Sequence, residues 1–394
     1  MEAIEATLQS ALPDLVELRH QLHQWPEPGY EEERTARTVA ERLSALPGLE
    51  VRTGFAKTGV VGLLNGDSDG PCIALRADMD CLPMEDTTGL PWASQRPGFA
   101  HACGHDGHTT CLLGTAGVLA QHRDQLPGPV LFLFQPAEEG GAGAHAMIED
   151  GALDNPRPKA IFGLHGYPGL EVGSFSVRPG SIMAASDVLR VRVTGNGTHA
   201  AMPHLGRDPI LAASHAVTAL QSLTSRRTDP LDSAVVTVAK FQAGNAFNVI
   251  PESVDLLGTI RTLQESTRRQ IHEEAKTLFQ SVCGGLGCRA EVTIEDGYPV
   301  CVNDARAVEY LHSVFQSPLN TGARLHSQNP MMAAEDFAFY GRDLPSTFFF
   351  VGVRRPGEEN PALLHQNHYD FNDEAIPYAV RAFCALALNF ATFG

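Results

Sequence analysis

Four stretches in which nearly every position is apolar, at 59–64, 72–77, 130–134 and 160–164, constrain this chain more than any other feature. A strand that is apolar on both sides must be covered on both sides, which is the condition of a mostly parallel sheet packed with helices. A helical stretch at 107–122 falls between the second and third run, giving the rhythm of an α/β protein. Ahead of the sheet, Leu8, Leu12, Leu15, Leu18 and Leu22 recur at helical spacing within residues 4–24, and residues 31–46 read as a second, charged amphipathic helix.

Groups capable of chemistry follow these runs. Asp78 and Asp80 come after Ile73-Ala74-Leu75, Glu138 and Glu139 after Val130 to Phe134, and His165 directly after Ala160 to Leu164. In open α/β sheets ligands gather beyond the carboxyl ends of strands, so these side chains are expected to converge although they lie far apart in sequence. The densest cluster is His101-Ala102-Cys103-Gly104-His105-Asp106-Gly107-His108, with Asp106 expected to cap the following helix and to leave Cys103 and His105 at its entrance.

Thiolate, imidazole and carboxylate together suit divalent transition metals, and a second carboxylate beside a ligand can take a proton from water. Taken singly, each signal has a plainer reading. Cys103 and its histidines are equally compatible with core packing, and Glu138-Glu139 with solvated acids opening a helix at 142–149. The flanking Gln135-Pro136-Ala137 and Gly140 to Gly143 instead suit a sharp turn against a ligand. His165 and His365 supply further imidazoles if a site exists. Asp80 is placed to orient an imidazole, or else belongs to the turn before Pro83.

Around 178–186 the pattern changes to alternating strands at 188–193, 234–238, 254–260 and 290–294, with helical stretches at 207–223 and 264–282. This strand-helix-strand-strand-helix-strand order is ferredoxin-like. It predicts an inserted domain at 183–296, between a first part of the main domain at 1–182 and a second at 297–394, where a helix near 304–315, a strand at 347–351 and a final helix near 373–391 return to it. Within the insertion, His199 lies in a loop, and Asn248 and Arg261 lie near strand ends. A guanidinium can hold a carboxylate and an imidazole or amide can donate to an oxyanion, although a loop, a turn and a solvent-facing charge are the plainer readings.

Composition narrows the partners. A net charge of −17 disfavours nucleic acid and anionic membrane surfaces, and no apolar run is long enough to span a bilayer. The acidic N-terminus does not resemble a signal peptide. The eight cysteines have no repeated spacing and read as buried thiols of a reducing compartment, so a cytoplasmic protein is expected.

Taken in order, the motifs resemble the M20 metallopeptidase superfamily, specifically its amidohydrolase branch of hippurate, N-acyl-amino-acid and auxin-conjugate hydrolases. The matching stretches are Leu22 to Glu27, Arg76 to Pro83, His101 to His108, Phe134 to Gly141, the His199 loop, Asn248 to Pro251, Ala334 to Ala338 and Tyr369 to Asp373. The resemblance implies a zinc-peptidase-like mixed sheet with helices on both faces and an inserted ferredoxin-like α+β lid that often mediates dimerisation. It implies two divalent metal ions (zinc, manganese, cobalt, nickel or iron) bridged by Cys103 and completed by His105, Glu139, His165 and His365.

By the same resemblance Glu138 is the general base, Asp80 orients a ligand, and His199, Asn248 and Arg261 face substrate, with His199 a candidate to serve a neighbouring subunit's site. The implied reaction is hydrolysis of the amide bond of a small N-acyl amino acid by a homodimer or higher homo-oligomer. An aminopeptidase or dipeptidase on the same fold and a non-catalytic metal-binding protein are the alternatives. The pattern departs from the family's at Asn367, where proline is usual, at His368, which adds a competing imidazole, and at Thr198, where glycine is common.

Overall fold

The apolar runs form the middle of an eight-stranded mixed sheet. In the computed structural model, which describes residues 2–316 and 322–393, its order is Leu49–Phe55, Gly59–Leu64, Val130–Gln135, Ile73–Asp78, Ala160–Glu171, Ser346–Arg354, Ser174–Val177 and Arg324–Ser327. Pairing is parallel through the centre, from Val130–Gln135 across to Ser346–Arg354. It is antiparallel among the first three strands and between Ser346–Arg354 and Ser174–Val177. The strands Gly59–Leu64, Ile73–Asp78 and Val130–Gln135 are buried at every position, as their unbroken apolar sequence requires.

The helix His105–Gln121 is buried along almost its whole length, because Glu2–Gln24 and Ile376–Leu388 pack on it while it packs on the sheet. That position explains a helix with apolar and small residues all round. One expectation fails here. Asp106 does not cap this helix; the N-cap is Gly104, which has φ +91° and makes no side-chain cap bond, and the Asp106 carboxylate is instead held by His23. The final helix is also shorter than expected, with a tight turn at Asp373–Ala375 before Ile376.

These elements belong to a unit comprising Met1–Gly180, Val302–Asn329 and Phe339–Gly394. A second unit comprises Ser181–Cys301 with the short segment Pro330–Ala338. Its sheet is antiparallel, in the order Ala234–Ala243, Ser253–Thr262, Ala185–Thr194 and Arg289–Asp296. With the helices Pro209–Ser222 and Glu265–Gly285 between strands, the chain order is strand-helix-strand-strand-helix-strand. Leu189, Val191 and Val193 point into its core while Arg190 and Arg192 point out, the alternation of a sheet covered on one face. Asp208 starts the first of these helices by accepting from the N–H groups of Ile210 and Leu211, with Pro209 in the first turn. Among the described residues no helix is long and apolar enough to cross a membrane.

Candidate metal centre

Strand ends and one helix start bring the donor side chains of the first unit together. Gly104, in the left-handed region, lets the chain turn from Cys103 into the helix that begins at His105. Gly107 lets that helix approach closely: a Cβ there would lie 2.4 Å from the Phe371 ring. His165 lies inside the strand Ala160–Glu171, which continues beyond the apolar run, and pairs across the sheet with Phe350. His365 has φ +63° and donates its backbone N–H to Ala102, so its segment is tied to the one carrying Cys103.

Cys103 Sγ lies 3.3 Å from His165 Nε2, and His365 Nε2 lies 3.3 Å from Glu139 Oε1. His105 Nε2 is 4.0 Å from the same carboxylate oxygen. Donor atoms of Cys103, His105 and His165 lie within 4.8 Å of one another, as do those of Cys103, Glu139 and His365. Cys103 is common to both groups, the arrangement expected of a thiolate shared by two cations. Glu138, largely buried, forms a further group of this kind with His105 and Glu139. His365, rather than its neighbour His368, faces Glu139.

The second nitrogen of each buried imidazole fixes which nitrogen is free. His105 Nδ1 donates to the Asp80 backbone carbonyl at 2.9 Å and contacts Asp80 Oδ1 at 3.2 Å, while Asp80 Oδ2 accepts the Glu139 N–H at 2.9 Å. Asp80 therefore touches two donor residues at once. His165 Nδ1 donates to the Gly166 carbonyl, leaving Nε2 toward Cys103. Among the described residues His105 Nε2, although buried, has no hydrogen-bond partner. His108 is differently occupied, with Nδ1 donating to Asp78 Oδ1 and Nε2 accepting from the Gly166 N–H.

The electrostatics ask for positive charge. Burial, joined by the charges of Glu139, Glu138 and Asp78, holds the Cys103 thiol well above its ordinary range, so a thiolate here calls for a cation. Burial alone would lower His105, but Asp78, Asp80 and Glu139 outweigh it and raise the imidazole to about 10. Burial, with His108 beside it, lowers His165 well below its usual value and keeps it neutral. A buried nitrogen without a partner, a neutral imidazole, a shielded thiol and surplus carboxylates fit divalent metal ions.

Two supporting residues had escaped the sequence reading. Glu32 accepts from the N–H of Ala137, which sits at φ +53°, and from Thr58 Oγ1, and so pins the turn before the acid pair; burial and then the Asp80 charge push it to about 7. In sequence it is one of three consecutive acids, Glu31 to Glu33, with nothing to set it apart from its neighbours. Buried Arg76 bonds Asp78 Oδ2 at 2.7 Å and fixes the carboxylate beside His105 and His108.

In the second unit, His199 pairs with Val249 in a two-stranded ladder, and the Ala200 N–H donates to the Asn248 carbonyl. His199 and Asn248 are thus neighbours. Arg261 is not with them. Its strand pairs Ser253 with Thr194 and Arg261 with Ser186, so Arg261 stands eight residues from the end where the His199 loop leaves the sheet. At ~3.3 Å per residue that is roughly 26 Å, too far for one small molecule to touch both in a single copy of this unit.

An α/β sheet beside which one cysteine is common to two groups of potential metal donors is the framework of a metal-dependent hydrolase. Residues 74–389 match the model of peptidase family M20/M25/M40, and the chain belongs to that family. It is 41% identical to N-acetyl-L-cysteine deacetylase of Bacillus subtilis over 89% of this chain and 83% of that one. It is 38% identical to hippurate hydrolase of Campylobacter jejuni over 95% of each, and 40% identical to IAA-amino acid hydrolase ILR1-like 4 of Arabidopsis thaliana over 95% of this chain and 85% of that one. Among solved structures it resembles the Bacillus subtilis YXEP protein, described as a dinuclear metal-binding peptidase of the M20 family, with TM-score 0.84 and 33% identity over 96% and 98% of the two chains.

Proposed function

We propose that this protein hydrolyses the amide bond of N-acyl amino acids, releasing a carboxylic acid and a free amino acid. The observation that carries the reading is the meeting of two three-donor groups at Cys103 with Glu138 alongside. Relatives named for N-acetyl-L-cysteine, hippurate and IAA-amino acids support the substrate class. When bound, a pair of divalent ions would polarise the scissile carbonyl and acidify water. The donor set of Cys103, His105, Glu139, His165 and His365 admits zinc, manganese, cobalt, nickel or iron.

The protein's own groups then divide the work. Glu138 takes the proton of the attacking water and delivers it to the leaving nitrogen, so that water and amide become acid and amine. Asp80 holds the His105 ring and the Glu139 backbone in register. The inserted unit acts as a lid and a dimerisation domain. Within it, Arg261 binds the amino-acid carboxylate of its own subunit's substrate, and His199 with Asn248 reaches the carbonyl in the site of a second subunit. The separation of Arg261 from His199 supports this division. The eight buried cysteines accord with a reducing, cytoplasmic setting.

A panel of N-acetyl, N-benzoyl and longer N-acyl amino acids beside unblocked dipeptides, run with metal analysis, tests the reading. Preference for dipeptides with a free amine would replace it by a peptidase, and bound metal with no turnover would replace it by a binding protein. Sharing of a site between subunits predicts complementation. Mixed and reassembled, Glu138→Gln and His199→Ala subunits, each inactive alone, should recover about a quarter of parental activity, one working site per heterodimer. If His199 serves its own subunit, nothing is recovered.

A further inference from the structure

We infer that the first helix, Glu2–Gln24, is a strap that positions the metal centre, with Arg19 and His23 as its positioning residues. The inference rests on reading the donor set as a metal centre. The helix precedes the residues matched by the family model. Four residues apart, Arg19 and His23 share a face of the helix, and both side chains are almost completely buried.

That face binds the two segments that carry the donors. His23 Nδ1 bonds Asp106 Oδ2 at 2.7 Å, and Asp106 is the residue after His105 and three after Cys103. Arg19 Nη1 bonds Asp370 Oδ1 at 2.6 Å and Arg19 Nε bonds Asp373 Oδ1 at 2.7 Å, in the segment that follows His365. Arg19 Nη1 also lies 3.8 Å from Asp106 Oδ2, so one guanidinium faces acids from both segments. Neighbours hold the lattice in place: Trp92 Nε1 donates to Asp370 Oδ1, His20 Nε2 contacts Asp373 Oδ2, and the His20 and Trp92 rings stack at 3.7 Å.

The chemistry of burial makes this more than packing. A guanidinium removed from water keeps its carboxylate partners, because an unpaired charge in that setting is strongly unfavourable. A buried guanidinium and a buried imidazole on one helix, each bonded to an acid, therefore fix the distance between the Cys103–His105 turn and the His365 segment. The start of the helix at His105 has no side-chain cap, its N-cap being Gly104, and the Asp106 carboxylate in its first turn is committed to His23. Loosening the strap should let the two donor segments drift apart while the sheet stays intact.

The test is titration of the chelator-stripped full-length protein with Co²⁺, following thiolate-to-cobalt charge-transfer absorption and competition with a chelator, with thermal unfolding of the stripped protein alongside. Arg19→Met and His23→Leu should each bind Co²⁺ about 10- to 100-fold more weakly, with a shifted band, and Arg19→Lys and His23→Gln should recover part of the loss. A helix that only supports the fold would lower the unfolding temperature and leave affinity and spectrum alone, and that result overturns the inference. Should Arg19→Met not fold, Arg19→Lys and His23→Gln decide, and parental affinity and spectrum in both would overturn it. A parent protein that shows no charge-transfer band would overturn the metal reading itself.

Discussion

Replacing Glu138 by Gln is expected to lower kcat for amide hydrolysis by about 100- to 10,000-fold while leaving metal content at the parental level. The amide has nearly the same shape and cannot accept a proton, so the variant removes one chemical ability and little else. The adjacent acid behaves differently. Glu139 is anchored through its backbone to Asp80 and meets His105 and His365 through one carboxylate oxygen, so Glu139→Gln should shed metal as well as activity. Kinetics paired with elemental analysis on both variants reads the two roles separately. A Glu138→Gln enzyme that loses its metal, or one that keeps both metal and rate, would mean that the acids have been assigned the wrong way round or that another group moves the proton.

Much of the candidate centre is legible in the sequence because several of its potential donors follow apolar strands or open a helix. Glu138 and Glu139 follow Val130–Gln135, and the Cys103–His105 turn opens the helix that packs on the sheet. What escaped was whatever depended on partners distant in sequence. Asp106 is of a residue type that caps helices, yet the helix starts one residue ahead of it, at His105, and His23, more than eighty residues away, takes its carboxylate. Arg19 lies between the apolar positions of its helix, and nothing near it in sequence points to Asp370 or Asp373. The outer strands Leu49–Phe55 and Arg324–Ser327 were missed because they carry polar and charged residues, which lack the apolar signature of a strand covered on both sides.

The placement of Arg261 was recoverable. In the predicted strand order its strand runs antiparallel to the one that ends before His199, so a residue late in the first must lie far from the exit of the second. That relation follows from register alone, once the pairing is drawn.

In the inserted unit the largest effect on stability is expected at Arg268. Asp187, fully buried near the start of Ala185–Thr194, accepts bonds from Arg268 Nε and Nη2, from the Gly297 N–H, and contacts His272 Nε2 at 2.7 Å. Burial works against its charge, and the bonds to His272 and Arg268 prevail, holding the carboxyl down to about 2. Because this folded-state value lies below that of an unfolded aspartate, the stabilisation is complete above about pH 4 and is lost as the pH falls toward 2. It amounts to about 2–3 kcal/mol for the proton alone.

Arg268→Met removes the cation and leaves the acid, which should cost about 3–5 kcal/mol at pH 7. In the variant, Asp187 takes up a proton at a higher pH than in the parent, so the deficit should shrink as the pH is lowered from 7 to 4. Hydrogen exchange of the Ala185–Thr194 backbone in the full-length protein would follow the inserted unit directly. A deficit that is the same at both pH values would locate the loss in packing of the arginine stem instead of in the unbalanced charge of Asp187.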